Sequence, residues 1–197
     1  MPRVTEEHRT ARRDQILSAA MRCVARDGFH KMTMANVIAE SGLSAGAVYG
    51  YFKGKNDLIQ AIARRAVGGF AADLDTLADG DDQVTLPGAL EVVLARARGL
   101  TADSEGGLPR IAIHAWSEAA RDDEVKEIVR TNIDSIIKSW ARVLARARAD
   151  GNLGPDGDLD QMARSMYSLM IGFALQGLIL DDVDEESYLA GFTALLA

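Results

Sequence analysis

The sequence predicts an all-α protein. Apolar residues recur at spacings of three and four along nearly the whole chain, with no convincing strand alternation. Only 4 prolines occur in 197 residues, and Gly- and Asp-rich clusters divide the periodic stretches into nine segments. An apolar fraction of 48% supports a packed core and excludes a disordered chain.

The first helix is expected from Glu7 to Asp27, with Ile16, Leu17, Ala20, Cys23 and Val24 as its apolar stripe. Gly28 stands where a left-handed C-terminal cap is expected. Thr33 is placed to cap a short second helix that buries Met34, Val37 and Ile38. That helix stops at Ser41-Gly42, where glycine supplies the positive φ of a tight turn. Ser44 caps a third helix, Ala45 to Phe52, closed by Lys53-Gly54-Lys55. A long fourth helix, Lys55 to Leu77, carries Gly68-Gly69 in its interior. Such a pair permits either bending or a close approach by a neighbour.

The clusters Asp79-Gly80-Asp81-Asp82 and Leu86-Pro87-Gly88 lead into a fifth helix, Ala89 to Leu100. Asp103 to Gly107 forms a break before a sixth, Pro109 to Ala120, where proline in the first turn sacrifices no hydrogen bond. The seventh, Asp123 to Ala149, is the most regular, and the loop from Asp150 to Gly157 ends it. The eighth spans Leu159 to Leu180 and the ninth Glu185 to Leu196.

Composition excludes several classes of function. One cysteine, Cys23, leaves no intramolecular disulfide framework and no four-cysteine zinc site, and the three histidines show no ligand spacing. No metal site and no cofactor is expected. Asp156-Gly157-Asp158-Leu159-Asp160 imitates a calcium loop but has Gln161 at the sixth position and Tyr167 at the twelfth. No glycine-rich phosphate loop and no Ser–His–Asp set with usable spacing occurs, so no enzyme is expected. The charged N-terminus is no secretory signal, and the longest uncharged run, the 16 residues Ser165 to Leu180, is short for a membrane span of about 20 residues. A cytoplasmic protein is expected.

The net charge of −7 conceals a division. Residues 1–65 hold 11 basic and 6 acidic side chains, and residues 66–197 hold 11 basic and 23 acidic ones. A basic third on an acidic body suits one end to a polyanion. Within that third, two short helices meet across Ser41-Gly42-Leu43-Ser44 as a helix-turn-helix, whose second helix can enter a DNA major groove. The Ser44 hydroxyl and the free amides at that helix start suit a phosphate. Tyr49, Tyr51, Lys53 and Lys55 add donors, and Ala45, Gly46, Ala47 and Gly50 let the backbone approach the bases.

These residues carry a family resemblance. Arg13-Asp14-Gln15-Ile16-Leu17-Ser18-Ala19-Ala20, Asp27-Gly28-Phe29, Thr33-Met34, Ser41-Gly42-Leu43-Ser44 and Ala47-Val48-Tyr49-Gly50-Tyr51-Phe52-Lys53-Gly54-Lys55-Asn56-Asp57-Leu58 resemble the DNA-binding domain of the TetR (tetracycline-repressor) family. The resemblance covers about 13–62. It implies an all-helical homodimer that binds a double-stranded operator and is released by a small molecule. The implied division is a three-helix DNA-binding domain, 1–54, and a larger helical effector-binding and dimerisation domain, 55–197.

Carried over by position, Thr33 and Ser44 contact phosphates, Tyr49 and Lys55 grip the backbone, and Ala45, Gly46, Ala47 and Tyr51 lie nearest the bases. The stretch 45–52 lacks the Arg, Asn and Gln side chains that pair bidentately with bases. Reading is then left to methyl contacts from Ala45 or Ala47, to Tyr51, and to an N-terminal arm with Arg3 and Arg9. Ile38 also stands where the family often has a small alanine.

In the body, the eighth helix is apolar almost all round and must be covered on every side. Pairing of the eighth and ninth helices with their copies as a four-helix bundle supplies that cover, through Leu169, Gly172, Phe173, Gln176, Gly177, Leu180, Tyr188, Phe192 and Leu195. His114, Trp116, Asn132, Trp140, Met166, Tyr167 and Met170 suit either ordinary core or the lining of a forgiving pocket for an apolar or aromatic effector, uncharged or cationic.

Overall fold

The structure, a computed structural model, describes residues 6–101 and 107–196. Arg3 and most of the expected break at Asp103 to Gly107 lie outside the described residues. Among the described residues there are nine helices and no strand. They are α1 (Glu6–Lys31), α2 (Met34–Ser41), α3 (Ala45–Tyr51), α4 (Lys55–Asp79), α5 (Leu86–Thr101), α6 (Leu108–Ala119), α7 (Asp123–Ala149), α8 (Leu159–Ile179) and α9 (Glu185–Leu196). No helix among them is long and apolar enough to cross a membrane.

The chain groups into two compact units, Met1–Arg65 with Arg110–Val129, and Ala66–Pro109 with Arg130–Ala197. The first is larger than the expected 1–54 because the start of α4 is built into it. Leu58, Ile59 and Ile62 are buried, Asn56 Nδ2 donates to Glu124 Oε1 at 2.8 Å, and Arg65 pairs with Asp14 at 3.4 Å. The expected stripe of α1 is buried, and α1 packs on α2. Glu40 of α2 receives Arg22 at 2.8 Å and Arg26 at 3.3 Å, and these hydrogen bonds hold its carboxyl below the usual carboxylate range. On α2 only Val37 of the three expected apolar residues is fully buried; Met34 and Ile38 are half-buried.

Gly28 does not form the expected left-handed cap. Its φ of 78° and ψ of 167° lie in a region open essentially to glycine alone. This kinks α1, and the last turn closes by Met32 N–H donating to Gly28 O at 3.2 Å. A Cβ at Gly28 would stand 3.2 Å from His114 Nδ1, so the glycine also seats α6 of the same unit.

In the second unit Leu74, Leu90, Leu94, Trp140, Val143, Leu144, Met166, Met170 and Phe173 belong to one apolar core. The start of α5 comes three residues earlier than expected, because Thr85 caps it: Gly88 N–H donates to Thr85 Oγ1 at 3.2 Å. Pro87 then falls in the first turn, where its missing N–H has no helical partner to lose. Val84 N–H donates to Asp150 Oδ2 at 2.9 Å, and Arg146 holds the same carboxylate at 3.0 Å, tying the loop before α5 to the end of α7.

The interior of α4 is unbroken at Gly68-Gly69. Gly68 has open space where a Cβ would be, whereas a Cβ at Gly69 would lie 2.6 Å from Arg96 Nη1. Arg96 reaches across from α5 to hold Asp73 with two hydrogen bonds, Nη2 to Oδ1 at 2.7 Å and Nε to Oδ2. Of the two roles open to the glycine pair, Gly69 thus has the close approach.

Candidate functional site

The turn between α2 and α3 is built from local caps. Thr33 Oγ1 accepts from Asn36 N–H at 3.2 Å, and Asn36 Oδ1 accepts from Thr33 N–H at 3.2 Å and from the Thr33 hydroxyl. This reciprocal pairing satisfies two helix-start donors with an Asn where a Glu or Gln is usual. At the other end Gly42, with φ 67° and ψ 15°, donates its N–H to Ala39 O. Gln15 Nε2 donates to Ser41 O at 2.8 Å, which ties the turn to α1. Ser44 then caps α3 by accepting from Ala47 N–H at 3.3 Å.

This arrangement fixes the roll of α3. Val48 is fully buried and Phe52 nearly so, with the Arg13 guanidinium 5.2 Å from the Phe52 ring centre. Ala45, Gly46, Tyr49 and Gly50 consequently face outward, Tyr49 with 45% of its surface exposed. Ala47 and Tyr51 are half-buried. Thr33 and Ser44 are both exposed, but the Thr33 hydroxyl proton is engaged by Asn36, while Ser44 Oγ is engaged as an acceptor and retains its donor. Lys53 Nζ folds back on Tyr49 O at 3.4 Å, and Lys55, the first residue of α4, is half-buried. Arg9 is exposed beside Glu6 at 3.9 Å.

Of the expected DNA contacts, Thr33, Ser44, Ala45, Gly46 and Tyr49 are thus exposed, and Ala47, Tyr51 and Lys55 are half-buried. Sequence reasoning passed over Asn36, for which the signal was the spacing Thr33-x-x-Asn36.

The expected effector residues divide between the units. His114 and Trp116 lie in the first; Asn132, Trp140, Met166, Tyr167 and Met170 lie in the second. Trp140, Met166 and Met170 are residues of the apolar core, and Tyr167 packs against that core. Burial pushes the Tyr167 hydroxyl up to about 12, so it stays protonated at any ordinary pH. A separate groove of about 1100 Å³ lies among α5, α8 and α9, lined in part by Glu91, Phe173, Gly177, Glu185 and Leu189. None of the seven expected effector residues lines it.

The expected dimer residues also divide. Phe173 and Phe192 are buried in the chain's own core. Tyr188 stacks edge-on to Phe173 at 5.1 Å and donates its hydroxyl to Leu169 O at 2.9 Å. A Cβ at Gly172 would approach that hydroxyl to 3.3 Å. Leu169, Gly172, Phe173 and Tyr188 thus join α8 to α9 within one chain, a use that apolarity alone does not distinguish from an interface. Gln176, Gly177, Leu180 and Leu195 are exposed. So are Leu175, Ile179 and Leu196, apolar residues of the same two helices; Ile179 is 70% exposed and Leu195 84%.

Comparisons with known proteins agree with the all-helical fold. Residues 16–62 match the model of bacterial regulatory proteins of the tetR family, and residues 107–197 match that of the BetI-type transcriptional repressor C-terminal domain. An uncharacterized helix-turn-helix regulator of Bacillus subtilis, YfiR, is 25% identical over 92% of this chain and 87% of its own length. A helix-turn-helix transcriptional repressor of Mycobacterium tuberculosis is 44% identical over 64 residues, 32% of this chain and 34% of its own. Among solved structures, SmeT in complex with triclosan superposes with a TM-score of 0.80 at 23% identity, covering 94% of this chain and 91% of its own. Salmonella enterica GusR gives 0.78 at 23% identity, over 99% and 97%.

Proposed function

We propose, because the chain belongs to the TetR family of DNA-binding transcriptional regulators with a BetI-type C-terminal domain, that it acts as a homodimeric repressor released from a roughly palindromic operator by a small apolar effector. The observation that carries the reading is the outward face of α3, where Ala45, Gly46, Tyr49 and Gly50 stand free of the core. Small residues there bring backbone to within reach of base edges, and Ser44 and Tyr49 offer hydroxyls to flanking phosphates. Residues 1–54 act as the reading head and 55–197 as the body that binds effector and partner.

Dimerisation rests on the apolar surface at the ends of α8 and α9. Leu175, Ile179, Leu180, Leu195 and Leu196 are exposed there, and covering them on a second copy removes them from water. A two-fold axis then sets two α3 helices about 34 Å apart, one turn of duplex. The effector site is the core around Trp140, Met166 and Met170, where methionine side chains repack readily. The triclosan complex of SmeT supports an apolar effector for this chain as well.

Selection of bound duplexes from a random pool tests the reading. An inverted repeat with half-sites one turn apart is expected, with affinity falling steeply as salt rises. Failure to bind any duplex at low ionic strength would overturn it.

A further inference from the structure

Trp140 is fully buried on α7, yet its indole N–H has no hydrogen-bond partner among the described residues. Buried tryptophan N–H groups usually find an acceptor, and one left unpaired weakens the fold. The surroundings supply no reason for an indole: Leu94, Val143, Leu144, Met166 and Met170 share the same core. Phenylalanine would fill such a place without an orphaned donor.

Tyr167 of α8 is half-buried against this core. Burial pushes its hydroxyl up to about 12, so it remains a proton donor. Charge narrows the ligand further. A carboxylate oxygen buried in the second unit, Glu185 Oε2, lines the separate groove and is already balanced by Arg98 at 3.1 Å, and the residues that share the Trp140 core are apolar.

We propose that the Trp140 indole N–H donates to an oxygen acceptor on the effector, and that the chain therefore responds to apolar aromatic molecules carrying a carbonyl or ether oxygen rather than to lipophilic cations. This rests on the reading of the Trp140 core as the effector site. A hydrocarbon of the same shape leaves the donor orphaned, as the unliganded chain does, whereas an oxygen satisfies it.

A matched pair of probes, benzophenone and diphenylmethane, separates the possibilities by calorimetric titration of the full chain. They differ only in the carbonyl, and partitioning alone favours the hydrocarbon. The expected result is binding of benzophenone about tenfold tighter, with the preference abolished in Trp140→Phe. Because that variant carries a risk of misfolding, the indole N–H resonances of 15N-labelled native protein give a second readout. Of the two, from Trp116 and Trp140, the Trp140 signal should move downfield with benzophenone and not with diphenylmethane.

Equal affinity for the two probes, or a preference that survives Trp140→Phe, would overturn the inference while leaving the apolar effector site standing. A Trp140 resonance already at a hydrogen-bonded position and unmoved by the ketone would mean that water holds the donor, and would overturn it too. Binding of neither probe, nor of other apolar aromatics, would remove the effector reading itself and this inference with it.

Discussion

Replacing Gly68 and Gly69 of α4 separately by alanine gives two outcomes from one chemical change. In a helix interior alanine is favoured over glycine by about 1 kcal/mol. At Gly68 nothing within 4 Å opposes a Cβ, so Gly68→Ala should realise that gain in full. At Gly69 the new Cβ would lie 2.6 Å from Arg96 Nη1 and 3.0 Å from its Cζ. The arginine is flexible and can retreat, but only by loosening its two bonds to Asp73. With side-chain exposures of 33% and 26%, that pair is worth about 1 kcal/mol after solvent screening.

The two terms nearly cancel, so Gly69→Ala should leave stability unchanged. For a chain of this length, 1 kcal/mol moves the melting temperature by about 2–4 °C. Scanning calorimetry should therefore show Gly68→Ala raised by that amount and Gly69→Ala level with the native chain. In an Arg96→Ala background the obstruction is gone, and Gly69→Ala should then stabilise as Gly68→Ala does. Equal stabilisation by both substitutions in the native background would refute the argument, as would a Gly69→Ala effect indifferent to Arg96.

Thr33→Ala removes the reciprocal cap of an eight-residue helix and should cost about 1 kcal/mol, read as a lowered melting temperature; Thr33→Ser should restore most of it. Asp150 is held below its usual value of 3.8, chiefly by the Val84 N–H and then by Arg146, so its contribution is present above the unfolded-state value and is lost as pH falls through the lower folded one. Melting temperature should accordingly drop below about pH 4, and Asp150→Asn should be less stable at neutral pH but lose less on acidification. Ile179→Asp places a carboxylate at the proposed subunit contact without touching the core of the single chain. It should weaken dimerisation roughly 100-fold, measured by sedimentation equilibrium, with helix content unchanged by circular dichroism.

Periodicity revealed the helices because each has an apolar side to bury, and the boundaries came within a few residues wherever a cap or a glycine marked them. The errors have local causes. Gly28 kinks rather than caps, and the place a Cβ would take there lies 3.2 Å from His114, far along the chain. The start of α5 moved to Leu86 because Thr85, rather than the later Gly88, governs it. The α2–α3 turn was legible to the residue, since Thr33, Gly42 and Ser44 act through bonds spanning three or four positions.

What α8 buries was not legible. A helix apolar all round gives no phase, so Phe173, which packs on Tyr188, and Ile179, which faces outward, read alike. The same limit concealed the orphaned Trp140 donor, because whether an indole finds an acceptor depends on residues brought together only by folding.

The central claim is that two copies of α3 read one face of a duplex at a fixed separation. Hydroxyl-radical footprinting of the full chain on a selected duplex tests it most directly. Two protected patches on one face, related by a two-fold axis and centred about 34 Å apart, are expected, both lost together in Tyr49→Ala. A single patch, patches on opposite faces, or protection that persists without Tyr49 would contradict it.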